Sequence, residues 1–125
     1  VRHLQSHGIR VLGSTIIGLE NHTPENIDEA IGHAVRHDTD FHQFMLYTPI
    51  PGTPLHAEMH RQGRIIDHDQ SHYDFRHCVI EPALMSPTQL QDGADWLYRS
   101  FYRLDRVLAR TLWTAVHVGL VPALR

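Results

Sequence analysis

The sequence has a single cysteine, Cys78, among 125 residues. One thiol excludes an internal disulfide and any metal centre built from several thiolates of this chain. It also fits a reducing cytoplasm, which is the compartment expected. No run of one charge sign occurs: eleven basic residues stand against fourteen acidic ones, for a net charge of −3. That balance leaves no electrostatic footprint for nucleic acid, so none is expected as a partner. A long apolar run is missing too. The most apolar stretch, Leu112 to Val121, is too short and too near Arg110 to cross a bilayer, which takes about 20 apolar residues. A packed terminal helix is expected there, and membrane association is not. The opening Val1-Arg2-His3-Leu4 has no methionine and no targeting signal. It reads as the last turn of a helix, so a fragment of a longer protein is expected.

What the sequence does have is a stiff corner, Thr48-Pro49-Ile50-Pro51-Gly52-Thr53-Pro54. Three prolines in seven residues force the residues before them into extended backbone. Gly52 is the position free to turn sharply. Thr53 is placed to cap a helix whose first residue is Pro54 and which runs towards Gln62. The corner follows the apolar run Phe44-Met45-Leu46-Tyr47, at the carboxyl end of a predicted strand. Parallel α/β sheets bind their ligands at that end.

The rest of the chain supplies the partner strand. Ile9 to Ile17 is rich in β-branched residues and nearly continuous in apolarity from Thr15 on, the pattern of a strand buried on both faces. It stops at Gly18. Thr23-Pro24 predicts a helix start, and Ile27, Ala30, Ile31, Ala34 and Val35 predict one apolar face continuing to His37. Phe41 to Tyr47 is the second strand. Strand, helix and strand make a βαβ unit with parallel strands. Its edges and second face need cover from elsewhere. After Gly63 come Arg64-Ile65-Ile66, a histidine-rich polar stretch from Asp67 to His77, and a short extended piece at Cys78-Val79-Ile80. Ser86-Pro87-Thr88-Gln89 is a capping box. The helix it opens is expected to present Leu90, Ala94, Leu97, Phe101, Leu104 and Leu108 on one face over about five turns.

Three constellations carry chemistry. Gly18, just past a strand, lets a flat ligand lie against bare backbone beside apolar side chains; the same pattern suits a plain strand terminator. The proline corner can present Tyr47 and Thr48 to a bound molecule, or serve only as a rigid connection. Twelve histidines include the helical i, i+4 pairs His33 with His37 and His56 with His60. Such pairs can share a metal ion, but no third ligand is indicated, so surface histidines are expected. Cys78, flanked by Val79 and Ile80, is expected to be a packed, inert thiol.

Taken in order, Gly8-Ile9, Ile16-Ile17-Gly18-Leu19, Thr23-Pro24-Glu25 and Thr48 to Leu55 resemble the carboxyl-terminal part of a radical S-adenosylmethionine enzyme. The likeness is to the type with a cobalamin-binding domain ahead of its barrel. Gly63-Arg64-Ile65, Tyr73-Asp74-Phe75 and Met85-Ser86-Pro87 extend it over about residues 8 to 100. The resemblance implies an α/β fold: residues 1–66 would be the last two parallel strands of a partial TIM barrel of six β/α units. Residues 67–125 would be a linker and a mostly α-helical extension. It implies that Ile16 and Gly18 lie beside the adenine of S-adenosylmethionine. Glu20 and Asn21 stand nearest to where the family's pattern has a glutamate. Tyr47, Thr48 and Pro49 would line the substrate side. The implied cofactors are S-adenosylmethionine and a 4Fe-4S cluster, with cobalamin as a further one. The implied activity is a radical-based transformation or methylation of a small organic substrate. Family members hold the cluster through three cysteines spaced C-x3-C-x2-C, and this chain has only Cys78. The chain alone is therefore expected to be inactive, its partner being the rest of the barrel. Two rival readings remain: a small non-catalytic α/β interaction module with an amphipathic helix in the tail from Val107 to Leu124, and a histidine-dependent metal hydrolase.

Overall fold

Two parallel strands and the helices packed on one side of them organise the computed structural model, which describes residues 1–117. Strand β1 (Leu12–Ile17) pairs with β2 (Phe41–Leu46) from Leu12 opposite Phe41 to Ile17 opposite Leu46. Around them lie α1 (Arg2–Gln5), α2 (Asp28–His37), α3 (Pro54–Arg61), a 3-10 turn (Gln70–His72), α4 (Pro87–Phe101) and α5 (Leu104–His117). The chain is α/β, with the two strands parallel as expected. The part of the expected terminal helix that runs from Val118 to Val121, and the tail on to Leu124, lie outside the described residues.

The strands are shorter than their apolar runs because polar side chains take over the ladder's start. Asp40 accepts from the Val11 amide at 2.8 Å and from Gln5 Nε2 at 3.1 Å, so Ile9 and Arg10 stay outside β1. The start of α2 also differs from expectation. Thr23 and Asn26 exchange side-chain-to-amide bonds of 2.8 and 3.3 Å, a cap of the expected kind. The turn that follows is irregular, with the Glu29 and Ala30 amides reaching back three residues. Regular helix therefore begins at Asp28, not at Pro24.

Among the described residues, one face of the sheet is covered and the other is bare. Ile17, Phe44 and Leu46 pack with Ile27, Ala34 and the α4 residues Leu90, Ala94, Leu97 and Phe101. On the opposite face Leu12 is 62% exposed, Ile16 45% and Phe41 47%. The expectation that the first strand is buried on both faces is thus met on one face only, because the helices packed on the sheet lie on the same side. A second cluster, Met59, Ile65, Val79 and Ile80, sits beyond the strand ends. Ile65 and Ile80 form an antiparallel bridge there, which makes the predicted extended piece at Cys78-Val79-Ile80 real.

The long helix expected from Ser86 is broken. The capping box forms, with Ser86 and Gln89 bonded in both directions, and Leu90, Ala94, Leu97 and Phe101 face the core as predicted. The chain then turns at Tyr102 and Arg103. Leu104 and Leu108, expected on the buried face, are 80% and 60% exposed. The cause lies in Tyr102, whose hydroxyl is tied to the backbone of His42, and in Arg110, which folds back over the Phe101 ring at 4.2 Å. Leu112 and Val116 also point outward, so the described part of the terminal helix is packed on its Thr114 side, not on its leucines. No described helix is long and apolar enough to cross a membrane.

Candidate functional site

The parallel pairing brings the two predicted corners to one rim. The Tyr47 amide donates to the Ile17 carbonyl at 2.8 Å, so Gly18 and Tyr47 leave the sheet side by side. Ile16 lies opposite Met45 on the bare face, just below that rim. Gly18 has φ of +87°, a left-handed conformation that favours glycine. A Cβ built there would stand 2.5 Å from Leu90 Cδ2. The side of Gly18 towards α4 is thus filled by the chain itself, and Gly18 is buried, so that of the two residues only Ile16 is open on the bare face. The Gly18 amide donates to His22 Nδ1 at 3.1 Å, and burial holds the His22 pKa below its usual value. A neutral ring with its proton on Nε2 is the form that can accept this bond.

Glu20 is engaged. Both its oxygens take hydrogen bonds from Arg64 Nη1, at 2.9 and 3.1 Å, while Arg64 Nε donates to the Glu81 carbonyl at 3.0 Å. The loop after β1 is thereby fastened to the segment after α3. Arg64 is the site residue that sequence reasoning left without a role; it is 44 positions away from Glu20, and no local pattern links them. Asn21 braces the same loop from the other side, its carbonyl accepting from Asn26 Nδ2 at 3.0 Å.

The proline corner is rigid through the turn and cap expected of it. Gly52 has φ of +86°, and Thr53 accepts from the His56 amide at 3.2 Å while donating to the Ile50 carbonyl at 2.7 Å. Tyr47 is half-buried and packs against the second cluster. Thr48 is buried, and its hydroxyl donates to the Leu46 carbonyl at 2.9 Å. Pro49 is fully buried. Of the three residues expected on the substrate side, Tyr47 alone keeps a partly open side chain.

The histidines do not converge. His33 with His37 and His56 with His60 stack as ring pairs with centroids 6.4 and 6.3 Å apart. Among the described residues no group of three or more His, Cys, Asp and Glu could hold a metal ion. His72 and His77 pair instead with Asp67 and Asp74, at 2.7 and 3.0 Å. Partial burial pushes the Asp74 carboxyl upward, but bonds from the Arg76 amide and from the ring and amide of His77 bring it down to about 2. Cys78 is half-buried, its thiol pushed up by burial and donating to the Ile80 carbonyl at 3.3 Å. That is the inert thiol expected, and a poor cluster ligand.

No family model matches the chain. Individual proteins do. An anaerobic magnesium-protoporphyrin IX monomethyl ester cyclase of Cereibacter sphaeroides is 32% identical over 102 residues, 82% of this chain and 16% of that protein. A bacteriochlorophyllide d C-12(1)-methyltransferase of Chlorobaculum tepidum is 28% identical over 110 residues, 88% of this chain and 24% of that one. A hopanoid C-2 methylase of Rhodopseudomonas palustris is 31% identical over 77 residues, 60% of this chain and 15% of that one. The chain's homologues are radical S-adenosylmethionine enzymes of the cobalamin-binding type. The resemblance carried by the ordered motifs therefore stands. The chain spans between 15% and 24% of the length of these three relatives.

Residues of this chain fit part of what such an enzyme holds. Ile16 leaves an apolar side chain open on the bare face, whereas Gly18 beside it is buried and backed by Leu90. A 4Fe-4S cluster has no ligand set here, since Cys78 is the one cysteine and its thiol is occupied.

Proposed function

We propose that the chain is a segment of a radical S-adenosylmethionine enzyme that transforms or methylates an organic substrate, and that it supplies the last two strands of a partial TIM barrel. The observation that carries this reading is the similarity to a cyclase and a methyltransferase over more than four-fifths of the chain. It is supported by the parallel strands that set Gly18 beside Tyr47. S-adenosylmethionine and a 4Fe-4S cluster, when bound, supply one-electron reductive chemistry; cobalamin is a further cofactor of this reading.

This chain's own residues bind and orient. Ile16 and Gly18 offer the wall for the adenine. Glu20 fixes the loop beside them through Arg64 and takes part in cofactor contact only by sharing its oxygens. Tyr47 faces the substrate, while Thr48 and Pro49 hold it from behind. Without three cluster cysteines the chain alone is inactive. A membrane anchor and nucleic acid have no part in this reading, and the cytoplasm is its compartment.

The test is the longer gene product, purified without oxygen and reconstituted with iron and sulfide. Reductive release of methionine from S-adenosylmethionine is expected, and Ile16→Asp should weaken cofactor binding at least about tenfold. A longer product without the cysteine triplet, or none at all, would overturn the reading. The rival interaction module has one observation in its favour, the outward Leu104, Leu108, Leu112 and Val116 of α5. A stable, cooperatively folding monomer of the isolated chain would favour it.

A further inference from the structure

The two edges of the sheet are treated differently. The Phe41 and Tyr47 amides donate to the Val11 and Ile17 carbonyls at the two ends of β1. Odd-numbered residues of both strands thus bond across the sheet, and even-numbered ones turn their backbone groups outward. On the β2 edge these outward groups are largely taken. The Tyr102 hydroxyl accepts from the His42 amide at 2.9 Å and donates to the His42 carbonyl at 2.8 Å. The Tyr98 hydroxyl donates to the Phe44 carbonyl at 2.9 Å. The Leu46 amide donates to the Phe75 carbonyl at 2.8 Å, and the Leu46 carbonyl accepts from Thr48. Tyr98 and Tyr102 are one helical turn apart on α4, with rings stacked at 6.3 Å, so their spacing matches alternate residues of the strand.

On the β1 edge the outward backbone groups of Leu12, Ser14 and Ile16 meet no partner among the described residues. The strand Leu12-Gly13-Ser14-Thr15-Ile16-Ile17 has no charge and no proline to discourage pairing. Beside it, between β1 and α2, runs a cavity of about 600 Å³ lined in part by Thr15, Ala30, His33 and Ala34. That is room for cover over an added strand. The relatives supply the chain to fill it, since the matched segment is only 16% of the cyclase and 24% of the methyltransferase.

We propose that Tyr98 and Tyr102 seal β2 against strand addition, so that the sheet grows only along β1. The occupant of the β1 edge is a strand of the remaining enzyme with apolar side chains towards Leu12 and Ile16. This rests on the reading of the chain as a segment of a longer enzyme. A strand cannot displace the tyrosines without breaking their hydroxyl bonds to the His42 and Phe44 backbone and shifting α4 off the core.

Amide hydrogen exchange tests it in the isolated chain and in the longer enzyme. In the isolated chain the His42 and Leu46 amides should be slow and those of Leu12, Ser14 and Ile16 fast. Tyr102→Phe should speed His42 at least about tenfold, with circular dichroism unchanged. The double variant Tyr98→Phe, Tyr102→Phe should gain mass in light scattering as the opened edge pairs. In the longer enzyme Leu12, Ser14 and Ile16 should become slow while His42 still depends on Tyr102. A His42 amide indifferent to Tyr102→Phe in both proteins, or a β1 edge still fast in the longer enzyme, would overturn the proposal. Absence of a longer product would instead overturn the reading it rests on, and the sealing of β2 would still be decided by His42 in the isolated chain.

Discussion

At the scale of single residues, the rim depends on atoms that are missing as much as on those present. Gly18 combines φ of +87° with Leu90 at 2.5 Å from any added Cβ. Gly18→Ala must both strain the backbone and push Leu90 aside, so it should cost roughly 2 kcal/mol or more, read from urea unfolding. His42 is buried between the hydroxyls of Thr15 and Thr39, at 2.8 and 3.2 Å. Burial, and then the neighbouring His37, hold its pKa below the usual value. The unfolded chain thus binds this proton more readily than the folded one. The stability it supports is present above about pH 6.5 and is lost as pH falls through the depressed value. Urea midpoints measured from pH 7.5 down to pH 5 should therefore fall, and less steeply for His42→Gln. A flat profile would contradict this. His72, raised by its bond to Asp67, works in the opposite direction but is solvent-screened.

At the scale of elements, much was legible where the signal is local. The Thr53 cap, the Ser86 capping box and the Gly52 turn need only neighbours within a few residues, and all three formed. So did the order of strand, helix and strand, because apolar runs and caps alternate along the chain. The break after Phe101 was not legible: Leu104 and Leu108 continue the helical period without interruption. What stops the helix is a tyrosine hydroxyl bonded to a strand 60 positions earlier. The Glu20 and Arg64 clasp was hidden for the same reason. The break has a direct check. Leu97→Ala, at a fully buried position, should cost about 2–5 kcal/mol, whereas Leu108→Ala should stay within about 0.5 kcal/mol. Equal losses would mean that one straight helix buries both. Ser86→Ala should cost about 1 kcal/mol through the lost cap.

At the scale of the whole molecule, the described residues place helices on one side of the sheet and leave the other side open. The bare face with Leu12, Ile16 and Phe41 should make the isolated chain self-associate through side chains. Light scattering over a range of concentrations reads this, and a strict monomer at all of them would speak for the module reading. Reconstitution of the isolated chain with iron and sulfide should give no stable cluster, since one half-buried thiol cannot replace three. Iron and sulfide remaining bound after gel filtration would refute that.

The contact between Gly18 and Leu90 also governs how this protein can be dissected. Trimming the polypeptide before Ser86 would remove the leucine that props the strand terminus from behind, and the hinge between Ile17 and Leu19 would lose its backstop. A minimal piece built from the strands alone would accordingly have a slack mouth, so the shortest useful excision must reach through Phe101.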